Sequence, residues 1–129
     1  MAGKFEGRRV VVTGGSRGIG RAIALGFAAQ GAHVSICARG EEALRATEAE
    51  LAERGGPVHA ACCDLAQADG IADYMAAAAD ALGGIDILVN NASGFGRTDD
   101  EAGWAASIEV DLLGTVRACR AALPHLTVR

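Results

Sequence analysis

Apolar positions along this chain follow two rhythms, and the switch from one to the other falls at glycine-rich breaks. Residues 9–13 (RVVVT) are a short β-branched run leading into glycines, the pattern of a strand buried on both faces. From Ile19 the period lengthens. Ile19, Ile23 and Phe27 recur every four residues and the pattern stops near Gly31, which predicts a helix. Residues 33–38 (HVSICA) read as a second strand. Residues 41–54 read as a second helix, with Leu44, Thr47, Glu48 and Leu51 at helical spacing, and Gly55-Gly56-Pro57 breaks it. Residues 58–63 (VHAACC) are a third strand and residues 67–82 a third helix, with Ile71, Met75, Ala78 and Leu82 along one side and Gly83-Gly84 at its end. Residues 85–90 (IDILVN) give a fourth strand. A polar loop over 93–103 carries the acidic cluster Asp99, Asp100 and Glu101. A final helix starts near Trp104, with a stripe of Trp104, Ile108, Asp111, Thr115 and Cys119 flanked by Leu112, Val116 and Leu123. Pro124 is expected to kink or stop it.

Strand–helix alternation predicts an α/β class, a parallel sheet joined by right-handed crossovers. At 129 residues the chain fits one domain, spanning 1–129. Composition adds three points. Aromatics are only 4%, so Ala, Val, Leu and Ile must build the core. The 18 glycines with only 2 prolines point to tight turns and close backbone approaches. The balance of 12 basic against 16 acidic residues, net −4, argues against nucleic acid or an anionic membrane as partner. No apolar run reaches membrane-spanning length and the opening residues MAGKFEGRRV lack a signal-peptide core, so a cytoplasmic location is expected. Cys37, Cys62, Cys63 and Cys119 form no CxxC pair and no zinc-type spacing. They read as reduced, mostly buried small side chains, and no metal site is expected.

The chemistry concentrates in Thr13-Gly14-Gly15-Ser16-Arg17-Gly18-Ile19-Gly20, where the first strand hands over to the first helix. Glycines there let backbone approach a pyrophosphate, and a helix N-terminus supplies unpaired N–H groups with partial positive charge. Gly20 falls inside the first helical turn, where the missing side chain permits close packing. Arg21-Ala22 after Gly20 excludes a Walker A loop, which needs Lys and Ser/Thr there. The spacing G14-x3-G18-x-G20 also departs from GxGxxG. A methyltransferase would want an acid at the end of the second strand, and a flavodoxin-like receiver an acidic cluster at the end of the first; neither is present.

The segment TGGSRGIG resembles the TGxxxGxG loop of the short-chain dehydrogenase/reductase family. Cys63-Asp64-Leu65 is similar to that family's adenine-contacting Asp-hydrophobic pair, Asn90-Asn91-Ala92-Ser93 to its NNAG motif with Ser for Gly, and WAASIEVDLLG over 104–114 to the stretch around its active-site asparagine. The resemblance implies a Rossmann-type doubly wound parallel sheet in three α/β/α layers, truncated after the fourth strand and the following helix, and an oxidoreductase that moves a hydride between a nicotinamide and a carbonyl or alcohol. It implies that Gly14, Ser16, Arg17, Gly18 and Ile19 wrap the cofactor phosphates, that Gly20 permits close packing, that Asp64 and Leu65 meet adenine, and that Asn90 and Ala92 hold the nicotinamide-side ribose. A capping role for Asp64 and a strand-tying role for Asn90 are the alternatives. The second strand ends Cys37-Ala38-Arg39. Arg39, with Arg17 near it, suits the 2′-phosphate of NADP better than the ribose hydroxyl of NAD; Glu41 and Glu42 are expected at the start of the next helix.

Two departures follow. The family's acid/base pair is Tyr-x-x-x-Lys, yet Tyr74 is the only tyrosine, with Ala78 four residues on, and Lys4 is the only lysine. Asp111 stands at the family's asparagine position as a candidate catalytic residue, on the helix's apolar stripe. It anchors a water and proton relay, marks altered chemistry, or turns to solvent. Two functional readings stay open. One is the cofactor half of an NADP-dependent reductase, inactive alone, with a small carbonyl or alcohol substrate and a homo-oligomeric state only in a full-length form. The other is a non-catalytic nucleotide-binding or interaction module. An open edge at the fourth strand and exposed Leu112, Leu113, Val116 and Leu123 predict self-association.

Overall fold

The computed structural model describes residues 3–94 and 96–126. Its β-branched runs form the strands β1 (Arg9–Thr13), β2 (His33–Ala38), β3 (Val58–Cys62) and β4 (Ile87–Val89). All pairings are parallel, in the order β3-β2-β1-β4. The chain therefore grows outward from β1 in one direction and returns to its other side with β4. Helices α1 (Gly18–Ala29), α2 (Glu41–Ala52) and α3 (Ala68–Leu82) supply the crossovers.

Side-chain alternation along the strands divides the core between the two sheet faces. Val10, Val12, Val34 and Ile36 pack with Ala24, Ala28, Leu44 and Leu51 beneath α1 and α2. Val11 and Cys37 point the other way, toward Ile71, Met75, Ala78, Ala118 and Ala122. Val10, Val11, Val12, Val34 and Ile36 are wholly buried, each contributing about 1.5–3 kcal/mol by leaving water. The helices stop where glycine takes a left-handed turn: Gly31 after α1 (φ 86°) and Gly83 after α3 (φ 84°).

Several boundaries differ from the sequence expectation. The second helix ends at Ala52 rather than 54, and β3 at Cys62 rather than 63. The fourth strand is three residues long, not six, because Ile85 and Asp86 serve as an anchor before pairing begins. Ile85 is buried outright, and Asp86 accepts from the Arg9 backbone N–H (2.8 Å) and from its guanidinium (3.1 and 3.2 Å). The acidic cluster expected in a loop starts a helix, α4 (Glu101–Ala106), earlier than Trp104. Asp100 caps it, its Oδ1 accepting from Gly103 N–H at 2.8 Å. A π-helical segment, Ser107–Gly114, follows and runs into α5 (Thr115–Leu126). Pro124 does not stop α5, which continues through Leu126, where description of the helix ends. Trp104, Ile108, Leu112, Val116 and Leu123 are exposed, while Gly114, Ala118 and Ala122 face the core. Leu113 is half-buried, and Phe95 of the 93–103 segment lies outside the described residues.

A polar group lies inside the α3-side core. Tyr74 is buried, its hydroxyl 2.5 Å from Ser35 Oγ, and Ser35 Oγ is 2.8 Å from His59 Nδ1. The His59 ring stacks on Tyr74 with centroids 5.9 Å apart. Burial pushes the Tyr74 phenol well above its ordinary range, with Cys37 adding to it, and burial lowers the His59 imidazole, with Arg45 helping and Glu48 opposing.

Two outcomes test this architecture. Asp86→Ala strands the Arg9 guanidinium beside the sheet and should cost about 3–5 kcal/mol in urea unfolding. Glu50→Ala, which breaks the more exposed Arg21–Glu50 pair, should cost no more than about 1 kcal/mol. Second, the unfolded chain protonates His59 below about pH 6.5 while the fold resists it, so stability should decline as pH falls through that value. His59→Phe keeps the stacking and should flatten this part of the slope in urea midpoints measured across that range.

Candidate functional site

Parallel sheets bind ligands beyond the carboxyl ends of their strands, where the winding direction reverses. Here that place lies between β1 and β4, and a cavity of about 610 Å³ opens there. Its walls come from the turn after β1, the ends of β2 and β3, the exit from β4, and Val110 of the π segment.

The turn is held by its neighbours. The N–H groups of Gly14 and Gly15 both donate to the Cys37 carbonyl (2.9 and 3.2 Å). Thr47 Oγ1 donates to the Ser16 carbonyl at 2.9 Å. Across the sheet, Thr13 Oγ1 accepts from the N–H groups of Asn91 (3.1 Å) and Ala92 (3.3 Å), and Asn91 Nδ2 donates to the Gly14 carbonyl at 3.0 Å. This crossing is so close that a Cβ on Gly20 would collide with the Gly14 carbonyl and the Asn91 amide. Gly14 itself has φ 66°, and a Cβ there would stand 2.9 Å from Ala92 Cα. At Gly18 (φ 51°) the space a Cβ would take is open. Arg17 occupies the N-cap position of α1 and offers no side-chain oxygen, so the first-turn amides of α1 are not closed off by their own cap.

Of the residues singled out from sequence, Gly14, Ser16, Arg17, Gly18, Ile19, Gly20, Arg39, Asp64, Leu65 and Ala92 all line this one cavity. Ile19 is 75% exposed, a large apolar side chain left in the open at the cavity wall. Asp64 does not cap α3: its Oδ1 accepts from Ala66 N–H at 2.9 Å, a local turn that fixes the carboxylate at the strand end. Arg17 and Arg39 are exposed, and the Arg17 guanidinium lies 3.8 Å from the place of a Cβ on Gly40. Glu41 does not line the cavity. Arg45 Nε and the Cys62 thiol both donate to it at 2.7 Å, and together they hold its carboxyl below the usual range, Cys62 foremost.

Asn90 and Asp111 are placed apart from that lining. Asn90 is exposed and donates to Cys119 Sγ at 3.4 Å. The amide that ties the strands is its neighbour Asn91, which sequence reasoning left without a role. Asp111 is exposed, the solvent-facing one of the readings its sequence position leaves open, and its Oδ1 accepts from Gly94 N–H at 2.9 Å. All four cysteines are free, but only Cys37 and Cys63 are buried. Cys62 and Cys119 are exposed, because β3 is a sheet edge and Cys119 lies on the outward side of α5. Among the described residues no three His, Cys, Asp or Glu side chains gather as a metal site, and no helix is long and apolar enough to cross a membrane.

A family model described as short chain dehydrogenase matches residues 8–129. The chain belongs to the short-chain dehydrogenase family. Among its relatives is a (2S)-[(R)-hydroxy(phenyl)methyl]succinyl-CoA dehydrogenase subunit of Thauera aromatica, 38% identical over 95% of this chain and 51% of the relative. Among solved structures, a short chain dehydrogenase from Burkholderia cenocepacia in complex with NADP superposes with a TM-score of 0.90 at 36% identity, covering 95% of this chain and 52% of that one. The L-sorbose reductase of Gluconobacter frateurii, complexed with NADPH and L-sorbose, gives 0.90 at 34% identity over 100% of this chain and 51% of that one. An NADH-dependent reductase complexed with NAD gives 0.87 at 27% identity, covering 96% of this chain and 54% of that one. This chain thus spans about half the length of the relatives it matches most fully. It carries the parallel α/β architecture of the family, a family of oxidoreductases.

The glycine contact is open to direct test. Gly20→Ala should cost about 1–3 kcal/mol, since the methyl must displace backbone. Gly26→Ala, on the same helix with open space around it, should instead gain about 0.5–1 kcal/mol. Paired urea titrations read both.

Proposed function

We propose that this chain forms the cofactor-holding domain, over residues 1–129, of an NADP(H)-dependent reductase of carbonyl compounds or dehydrogenase of the corresponding alcohols. The reading rests on one observation above all: Arg17 and Arg39 flank the cavity at the end of β2, while Glu41, the nearby acid that would repel a phosphate, is turned onto Arg45 and Cys62. Two guanidinium groups suit a 2′-phosphate through charge-assisted hydrogen bonds.

The shape of the cavity fits a dinucleotide. Its volume of about 610 Å³ lies within the range of small-molecule sites, and Gly14, Gly18 and Gly20 bring no side chain to the turn that meets the bound group. Ser16, Arg17, Gly18 and Ile19 take the pyrophosphate on backbone N–H groups, with Gly14 and Gly20 keeping the turn tight beneath it. Asp64 accepts from the adenine amino group, and the Leu65 N–H reaches a ring nitrogen. Ala92, with Asn90 two residues before it at the same strand end, takes the nicotinamide-side ribose. When bound, the nicotinamide supplies or accepts the hydride. Asp111 accepts from Gly94 N–H beyond Ala92, and on this reading it acts as a positioning residue for the substrate side. The exposed ridge of Trp104, Ile108, Leu112 and Val116 is the surface on which a second copy would pack in a longer form.

The proton transfer that accompanies hydride movement has no donor here. Tyr74 is committed to Ser35 inside the core, and neither Tyr-x-x-x-Lys nor a second tyrosine exists in these 129 residues. The chain alone is therefore expected to bind NADPH without turning over ketones.

Isothermal titration should show NADPH bound more tightly than NADH. Arg39→Ala should weaken NADPH roughly 10- to 100-fold, the worth of a lost charged hydrogen bond, while leaving NADH nearly unchanged. No binding at millimolar NADPH would sink the proposal; equal affinity for both cofactors would remove the NADP preference.

A further inference from the structure

The phosphate turn is reached by α2 from inside the core. Thr47 sits on the buried face of that helix with Leu44 and Leu51 and is 1% exposed. A hydroxyl in such a place costs stability unless it is hydrogen-bonded. In a helix interior its usual partner is the carbonyl one turn back. Thr47 has a single hydrogen to give, and it leaves the helix altogether: Oγ1 donates to the Ser16 carbonyl at 2.9 Å, across 31 positions of chain. Valine has the same outline, so what the hydroxyl adds at this place is that bond.

The bond fixes a peptide plane. The Ser16 carbonyl shares its planar, trans peptide unit with the Arg17 N–H, and the two point in opposite directions. Holding the carbonyl toward α2 therefore turns the Arg17 N–H away from α2. The turn is tied on both sides of this unit. Before it, the Gly14 and Gly15 N–H groups donate to the Cys37 carbonyl; after it, the Arg21 N–H donates to the Arg17 carbonyl at 3.0 Å. The unit itself lies between Gly15 and Gly18, residue types whose backbone is the freest to rotate. Ser16 and Arg17 line the cavity. A rotation of their shared plane would thus change what the wall offers an anion, from an N–H to a carbonyl oxygen.

We propose that Thr47 is a positioning residue for the pyrophosphate of the cofactor, its hydroxyl holding the Ser16–Arg17 peptide with the amide toward the anion. The part played in binding rests on the cofactor reading above; the hold on the turn does not. Thr47 touches no ligand. It acts through Ser16, by settling in the free chain an orientation that binding would otherwise have to select.

Thr47→Val removes the hydroxyl and Thr47→Ser keeps it. Two probes divide the cavity. ADP carries a diphosphate; adenosine 2′-monophosphate does not, and reaches only the places given above to Arg39, Asp64 and Leu65. In isothermal titration Thr47→Val should weaken NADPH and ADP roughly 5- to 30-fold, the effect of leaving one residue's backbone unfixed until binding, and keep adenosine 2′-monophosphate within about twofold of the parent. Thr47→Ser should restore ADP. Glu50→Ala breaks another tie between α1 and α2, Arg21 Nε to Glu50 Oε1 at 3.0 Å, without touching the turn, and should leave all three ligands unchanged. In the free chain, backbone nitrogen relaxation should show residues 16–18 newly mobile in Thr47→Val, with residues 41–52 as rigid as before. A Thr47→Val chain that binds ADP as the parent does, or that loses both probes alike, would overturn the proposal; so would a turn equally ordered in the free variant. Should the parent bind neither NADPH nor ADP, the cofactor reading fails and the pyrophosphate role fails with it, while the relaxation data still decide whether Thr47 holds the turn.

Discussion

The structure turns on the meeting of the Gly14 carbonyl with the Asn91 amide, across a gap that only a glycine at position 20 leaves open. β1 and β4 diverge in chain order but must end side by side for a cavity to exist between them. Thr13 and Asn91 make that join, one through its hydroxyl and one through its amide. The first two amides of the turn are spent on the Cys37 carbonyl and the Gly14 carbonyl is spent on Asn91. What remains unspent by these ties is the stretch from Ser16 onward, and it faces the cavity. The site's donors are left over from a tightly satisfied framework rather than added to it.

The framework carries the same economy into the core. Alternation along β1 and β2 sends Val10, Val12, Val34 and Ile36 to one face and Val11 and Cys37 to the other, and each face finds a different pair of helices. On the α1–α2 side the fill is purely aliphatic at the strands. On the α3 side, Ser35, Tyr74 and Cys37 interrupt it, and the two hydroxyls pair with each other; among the described residues no buried side-chain oxygen or nitrogen is left unpaired. Cys37 belongs both to this core and to the wall of the cavity, so the interior on this side reaches the site directly.

Much of this was legible in the sequence. The order of strands and helices followed from β-branched runs and glycine stops, and ten of the residues picked for the site line one cavity because the spacing of TGGSRGIG reflects the geometry of a strand-to-helix turn. What could not be read depended on contacts between distant segments. Of the neighbours Asn90 and Asn91, nothing local says which amide turns inward; the carbonyl that decides it is on Gly14, 77 positions away. The sequence reads Asp100 as part of a polar loop, although an Asp three residues before a glycine N–H is also a helix cap. The stripe of Trp104, Ile108, Asp111 and Cys119 holds together but faces outward, which only the packing of the helix against the sheet decides; of the readings open for Asp111, the solvent-facing one is found. Cysteine burial was misjudged for half the cysteines because edge position is a property of the sheet, not of the strand.

The contact between α3 and α5 is made largely of alanines, with Ala78, Ala118 and Ala122 fully buried. Such a seam loses no rotamer entropy on folding, and for the same reason it has no rotamers with which to adapt. A methylene added anywhere along it can be absorbed only by displacing a whole helix. Val110 rides on the same continuous helical stretch that includes α5 and closes one side of the cavity. Size drift at a seam remote from any ligand would accordingly be felt as a change in the aperture of the site.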